Sequence, residues 1–282
     1  MSGFKDFVAV VTGGGSGIGR ALCTQLAAGG AKVAVADLDA DAAAKVAGEI
    51  GGEARSYACD VADRGQVAAL AADVIRDFGT VNLVFAHAGI AVPGRIMDTS
   101  PAEFGWLFDV NVGGVFHTMQ LFVPLLLEAS ERGERAHFVV TGSENALGVP
   151  LTAPSSVYTA TKQAAYALAD TLRRDLAETP VKVSVFNPGV TATRIWDSRR
   201  ARQDRYGGAS DMPADFAERA SKAMQTYGQD PALTASITLE AVARGDFLIV
   251  NDSRIRAIAE TRIRAVEAAL DACDARLAQE KS

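Results

Sequence analysis

The amino-acid sequence predicts one α/β domain built on a doubly wound, parallel sheet of seven strands. Short apolar runs rich in β-branched residues recur along the chain, and helical patterns separate them. Most of these runs lack the apolar/polar alternation of half-exposed strands, which is typical of parallel strands covered by helices on both faces. Right-handed crossovers between parallel strands then leave few topologies.

The predicted elements follow one another in a regular order. Strands are expected at residues 7–11, 32–36, 54–59, 82–86, 136–140, 182–186 and 246–250, of which 54–59 has the weakest pattern. Helices are expected at residues 20–28, 39–50, 64–78, 103–129 and 158–178. The chain is therefore expected to form a single domain, residues 1–282, with additions at residues 191–231 and 253–278.

Charge and composition exclude several classes of function. The 28 Lys and Arg residues against 34 Asp and Glu give a net charge of −6, which disfavours nucleic-acid binding. The N-terminus carries no signal pattern, and no run reaches the ~18 apolar residues of a membrane span. The three cysteines form neither a disulfide nor a metal-binding pattern. We therefore expect a soluble, cytoplasmic protein without a metal site.

Residues 191–231 interrupt the strand and helix alternation with polar, glycine-containing sequence. We expect an inserted lid over a site, since strand-like sequence resumes at Phe247. Its arginines, with Trp196 and Tyr206 among them, offer a guanidinium to a carboxylate or an aromatic face to a ring. The alternative is pairing within the insert, because it also holds four aspartates: Asp197, Asp204, Asp211 and Asp215.

Residues 253–278 are predicted to form a C-terminal helix with one apolar stripe. Apolar residues recur there in steps of three and four: Ile255, Ala259, Ile263, Val266, Leu270, Cys273 and Leu277. A stripe of this kind needs a covering surface. Packing against its own domain, a subunit contact and a membrane-surface position all remain open.

The first chemical signal is a glycine-rich turn between a predicted strand and a predicted helix. The turn reads Thr-Gly-Gly-Gly-Ser-Gly-Ile-Gly, and its candidate binding residues are Gly13, Ser16, Gly17, Ile18 and Gly19. Glycines let the backbone approach a pyrophosphate closely, and the amide groups of the following helix N-terminus favour an anion. The context therefore predicts a dinucleotide-binding turn.

Asp37 ends the second predicted strand, where a ribose acceptor belongs. A carboxylate there accepts hydrogen bonds from the adenosine ribose and repels a 2′-phosphate, which favours NAD over NADP. Arg20, which directly follows the turn, is a nearby cation that a 2′-phosphate could pair with, so NADP remains an alternative.

Tyr158 and Lys162 lie four residues apart at the start of a predicted helix and so share one face. A nearby ammonium is expected to lower the tyrosine pKa and make the phenol a usable base. Ser143 follows the fifth predicted strand, at the edge where ligands of open α/β sheets bind. Its hydroxyl is suited to donating to a carbonyl oxygen.

These motifs together resemble the short-chain dehydrogenase/reductase superfamily, over residues 7–250. The matching positions are the glycine turn, Asp60 and Val61, Ala88 and Gly89 after the fourth strand, Asn111, Ser143, the Tyr158/Lys162 pair, and Pro188, Gly189, Val190 and Thr193. The resemblance implies a Rossmann-like fold, a nicotinamide cofactor and a homodimer or homotetramer.

The resemblance also implies individual roles. Tyr158 would be the general acid/base, Ser143 would polarise the substrate oxygen, and Lys162 would also hold the nicotinamide ribose. Asn111 would position a relay water. The other implied roles concern the cofactor. Asp60 and Val61 would contact the adenine, Ala88 and Gly89 the adenosine, and Ile18 would line the nicotinamide side of the turn. Val190 and Thr193 would meet the nicotinamide carboxamide, and Pro188 and Gly189 of the same segment are further cofactor-binding candidates.

Two features depart from the family pattern. His87 stands where the family usually has asparagine, and we expect a structural role for it. Ser143 and Tyr158 are fifteen residues apart, which predicts an enlarged loop at residues 150–156.

The expected function is reversible hydride transfer between NAD and a secondary alcohol or ketone, possibly a bulky or aromatic one. An NADPH-dependent carbonyl reductase and a non-enzymatic nucleotide-sensing protein are the alternatives.

Overall fold

The computed structural model describes residues 3–150, 155–211 and 213–280. Within them a seven-stranded, all-parallel sheet has the order β3-β2-β1-β4-β5-β6-β7. The strands are β1 (Val8–Thr12), β2 (Lys32–Asp37), β3 (Ala54–Ala58), β4 (Leu83–Ala86), β5 (His137–Thr141), β6 (Lys182–Asn187) and β7 (Leu248–Val250). The predicted doubly wound, Rossmann-like sheet is confirmed.

Helices cover both faces of the sheet. They are α1 (Gly17–Ala28), α2 (Ala40–Ile50), α3 (Arg64–Phe78), α4 (Pro101–Phe108), α5 (Gly114–Glu131), α6 (Glu144–Leu147), α7 (Ser156–Asp175), α8 (Ala214–Tyr227), α9 (Pro231–Arg244) and α10 (Ile255–Gln279). In β1, Val8 and Val10 pack into the core layer of α3, α5 and α7, whereas Ala9 and Val11 pack against α1, α2 and α9. Both strand faces are buried, which explains why the apolar runs do not alternate.

The predicted single helix at residues 103–129 is wrong in detail. The chain forms α4, then one turn of π-helix at Asp109–Gly113, and then α5. The wide turn contains Asn111, whose side chain bonds the loop after β4. Hydropathy does not signal such a turn, and π-turns occur often at functional sites.

The prediction for residues 191–231 missed helix α8, and the predicted elements also omitted α9. Asp230 caps α9 by accepting a hydrogen bond from Ala232 N–H, and Pro231 occupies its first turn. Helix α9 packs against α1 and connects the insert to β7. It is therefore a core helix of the sheet.

The apolar stripe of α10 lies in solvent beyond the first turns of the helix. Ile258 packs against Gly148 at the end of α6, but Ile263, Val266, Leu270 and Leu277 are 50–60% exposed. The alternative that these four residues pack against their own domain is therefore wrong.

Residues 101–131, which span α4 and α5, are apolar and long enough to cross a membrane. Half of the most apolar stretch is buried inside the domain, and Phe122 and Leu126 lie fully in the core. Core packing accounts for this composition.

Candidate active site

The glycine turn joins β1 to α1 at the carboxyl edge of the sheet. Gly13 and Gly17 have φ values of +71° and +53°, in the region that favours glycine. A Cβ built on Gly13 would lie 2.9 Å from Ala88 Cα, so the turn packs closely against the loop after β4. Ser16 begins α1 without a side-chain cap among the described residues, which leaves first-turn amides for an anion.

Asp37 lies beside this turn at the end of β2. Its Oδ2 accepts a hydrogen bond from Gly15 N–H at 2.9 Å, and its Oδ1 accepts one from Asp39 N–H at 3.0 Å. Arg20 instead pairs with Glu49 of α2 at 2.8 Å. Arg20, the cation that kept NADP as an alternative, is thus already paired with Glu49 on the surface of the domain.

Ser143, Tyr158 and Lys162 come together at the end of β5. Ser143 lies near enough to the Tyr158 hydroxyl to lower the pKa of that phenol, and Lys162 Nζ lies 5.8 Å from the centre of the Tyr158 ring. Lys162 is buried and donates to the Thr141 carbonyl at 3.0 Å. The three predicted side chains therefore share one corner of the crevice.

The expected lowering of the Tyr158 pKa by Lys162 is wrong for this structure. Burial, supported by the charge of Glu144, raises the Tyr158 pKa to about 12 and outweighs the opposing hydrogen bond from Ser143. Burial also lowers the Lys162 pKa to about 8. Desolvation acts on both groups and favours their neutral forms, an effect that residue spacing does not reveal.

Asn111 connects the π-turn to the loop after β4 and to α7 beside Lys162. Its amide donates to the Ile90 carbonyl and to Thr161 Oγ1, both at 2.9 Å, and its Oδ1 accepts from Ile90 N–H at 2.9 Å. A Cβ on Gly89 would lie 3.2 Å from Lys162 Nζ and 3.3 Å from Asn111 Oδ1. The absence of a side chain at Gly89 therefore allows Lys162 and Asn111 to lie close to this part of the backbone.

His87 lies between the glycine turn and Lys162. Its Nδ1 is 3.0 Å from Thr141 Oγ1, and its backbone N–H, like that of Ala88, donates to Thr12 Oγ1. Burial and the charge of Lys162 lower the His87 pKa to about 3. The imidazole is therefore neutral at ordinary pH.

The Pro-Gly-Val segment after β6 is held by several backbone bonds. Gly189 N–H donates to Asn251 Oδ1 at 3.0 Å, Pro188 O accepts from Glu144 N–H at 2.9 Å, and Val190 O accepts from Gln229 N–H at 2.9 Å. A Cβ on Gly17 would lie 3.1 Å from Thr193 Cγ2, so the segment reaches the glycine turn. Ile18 is buried in the core layer of α1, α2 and α9.

Asp60 and Val61 follow β3 at the other end of the crevice. Cys59 N–H donates to the Asp37 carbonyl at 2.8 Å, which places Asp60 close to the end of β2. Asp60 Oδ2 accepts from Gln203 and Arg205 of the insert, and Oδ1 accepts from Ala62 N–H. Val61 packs against Gly114 at the start of α5.

Two asparagines that the sequence analysis missed support Ser143. Asn187 Oδ1 accepts from Ser143 N–H at 3.2 Å, and Asn145 N–H donates to Ser143 Oγ at 3.3 Å. Asn145 also bonds Thr159 of α7 at 2.8 Å. Their positions directly after β5 and at the end of β6 were the available signal. Among the residues described, no group of His, Cys, Asp and Glu is arranged for a metal ion.

Comparisons with known proteins agree with this geometry. The family described as short chain dehydrogenase matches residues 7–204. SadH of Mycobacterium tuberculosis, an oxidoreductase by name, is 32% identical over 263 residues, which cover 92% of this chain and 90% of that protein.

Two solved structures extend the likeness. A short-chain dehydrogenase/reductase from Burkholderia phymatum in complex with NAD is 33% identical with a TM-score of 0.86, covering 95% of this chain and 96% of that one. A 3-ketoacyl-(acyl-carrier-protein) reductase from Brucella melitensis complexed with NADH is 25% identical with a TM-score of 0.73, covering 88% and 97%. The chain is thus an oxidoreductase that belongs to the short-chain dehydrogenase/reductase superfamily.

Proposed function

We propose that the protein transfers a hydride reversibly between NAD and a secondary alcohol or its ketone. The observation that carries the proposal is the convergence of Ser143, Tyr158 and Lys162 at the end of β5, on the same sheet edge as the glycine turn. A dinucleotide fits this turn, because the first amides of α1, which no side chain caps among the described residues, favour a pyrophosphate. The bound nicotinamide supplies the hydride chemistry.

The side chains of the corner then have separate roles. Tyr158 accepts the hydroxyl proton of an alcohol or donates one to a ketone, and Ser143 donates a hydrogen bond to the same substrate oxygen. Lys162 holds the nicotinamide ribose. Asn111 fixes the loop after β4 and, through that loop, the position of a relay water.

NAD is preferred over NADP in this proposal because of Asp37. Its carboxylate stands at the end of β2 and bonds Gly15 of the turn, so a 2′-phosphate would meet a fixed negative charge. The pairing of Arg20 with Glu49 removes the nearest compensating cation. Asp60, Val61, Ala88, Gly89 and the segment from Pro188 to Thr193 line the rest of the cofactor site.

The substrate proposal is a bulky or aromatic secondary alcohol. Its support is the insert, which carries Trp196 in the first short helical turn after β6. An acyl-linked ketone is the second candidate substrate, because one similar structure is that of a 3-ketoacyl-(acyl-carrier-protein) reductase complexed with NADH.

The deciding experiment measures cofactor reduction with NAD and with NADP over a panel of aliphatic and aromatic secondary alcohols. We expect turnover with NAD and a higher kcat/KM for the bulky alcohols. Turnover only with NADP would favour a carbonyl reductase. Binding of NADH without turnover of any alcohol or ketone would favour the nucleotide-sensing alternative.

We further propose a cytoplasmic homodimer or homotetramer. The location is supported by three unpaired cysteines among the described residues, which suit a reducing compartment. The oligomer is supported by the exposed stripe of α10, and sedimentation velocity of the purified chain would test it.

A further inference from the structure

Residues 193–206, here named the strap, run from the glycine turn along the outside of α4. Ser198 Oγ accepts a hydrogen bond from Ala91 N–H at 3.0 Å, in the loop after β4. Arg199 pairs with Glu103 of α4 at 2.5 Å. Tyr206 donates to Asp109 of the π-turn at 2.7 Å. The strap is thus fastened at intervals rather than projecting into solvent.

The far end of the strap is fastened to Asp60. Arg205 Nη2 and Gln203 Nε2 donate to the same Oδ2 atom, at 2.7 and 2.9 Å. Gln203 Oε1 in turn accepts from Trp106 Nε1 at 2.9 Å, which fixes the orientation of the amide. The Asp60 side chain is only 6% exposed, whereas that of Arg205 is 45% exposed.

These contacts place one end of the strap at the glycine turn and the other end at Asp60. Thr193 lies against Gly17 of the glycine turn. Asp60 follows β3, next to the β2 end that carries Asp37. Both ends of the strap therefore lie at residues that the proposed function assigns to the cofactor site.

We infer that Arg205 and Gln203 latch the strap across the cofactor groove through Asp60, so that a bound NADH leaves only after this latch opens. The inference rests on the proposed function, because it takes a dinucleotide as the ligand. Opening removes two donors from a buried carboxylate and leaves its charge poorly compensated. Arg205 and Gln203 are positioning residues, since they act through Asp60.

The test is the dissociation rate of NADH from the full chain, measured by stopped-flow displacement with excess NAD. Arg205→Ala is expected to raise the rate about tenfold, the size of one charge-assisted hydrogen bond. Arg205→Lys keeps the charge and should restore most of the slow dissociation. Arg219→Ala removes an exposed Arg–Asp pair from α8 of the same insert and should leave the rate unchanged.

A second readout separates latching from general stability. Trypsin cleaves after the strap arginines, and NADH should protect them in the unaltered chain but much less in Arg205→Ala, at equal Tm. Equal dissociation rates and equal protection in the two proteins would overturn the inference alone. An equal effect of Arg219→Ala would also overturn it. Absence of NADH binding to the unaltered chain would overturn the proposed function and this inference together.

Discussion

The two ends of the crevice are built in different ways. The Tyr158 corner uses residues at strand ends and one helix turn, and its partners are mainly neighbouring strands and backbone groups. The Asp60 end depends on side chains of the insert, more than 140 residues away in sequence. The proposed chemistry thus lies on the rigid sheet edge, whereas the proposed latch depends on a segment that a few polar contacts hold.

Replacing Lys162 tests the Tyr158 corner, and it should have the largest effect on turnover. Lys162→Met keeps the volume but removes the ammonium, and we expect kcat to fall at least ~100-fold because the nicotinamide ribose loses the group that holds and orients it. Burial of a lysine is unfavourable, so Tm should stay equal or rise. Kinetics and thermal melts measured on one preparation check both outcomes.

Lys182→Met, at the exposed start of β6, is the matched control. Retained turnover in Lys162→Met would remove this residue from the mechanism.

Asp37 tests the cofactor end of the same sheet edge. Asp37→Ala should shift the NADP-to-NAD ratio of kcat/KM at least ~10-fold toward NADP, since the carboxylate no longer repels the 2′-phosphate. Asp39→Ala removes the N-cap of α2 two residues away, and should lower stability by ~1 kcal/mol without changing the ratio. An unchanged ratio in Asp37→Ala would contradict the NAD preference.

The buried histidines give a smaller, pH-dependent effect. Burial holds the pKa of His87 at about 3 and that of His137 at about 4, against an ordinary value of 6.5. As pH falls below 6.5, the unfolded chain binds protons that the folded chain does not, so stability is lost progressively toward pH 4. Thermal melts across this range should show that Tm falls less with pH in His87→Asn than in the unaltered protein. An identical dependence of Tm on pH in the two proteins would contradict the lowered pKa of His87.

The sequence predicted the Tyr158 corner well because its information is local. A strand end followed by Ser143 and a helix turn joining Tyr158 to Lys162 need no knowledge of distant contacts. The parallel seven-stranded sheet followed in the same way from the buried apolar runs, whereas the crossover rule narrowed the possible strand orders without selecting one. Residues 151–154 of the expected enlarged loop lie outside the described residues.

The features that the sequence did not reveal depend on burial or on distant partners. The π-turn at Asn111 depends on bonds to Ile90 and Thr161, which no hydropathy pattern shows. The raised Tyr158 pKa reflects desolvation at the end of β5. The insert was expected either to pair internally or to reach a ligand, and it does the former at Arg194 and Asp197 but bonds Asp60 and Glu103 elsewhere.

The most direct test of the central claim compares NADH binding and turnover in Tyr158→Phe on the same sample. The account predicts unchanged NADH affinity and a loss of turnover of at least ~100-fold, because only the proton-transferring oxygen is removed. Tyr166→Phe, two turns further along α7, should behave like the unaltered protein. Turnover in Tyr158→Phe within a few-fold of that protein would contradict the assignment of Tyr158 as the acid/base.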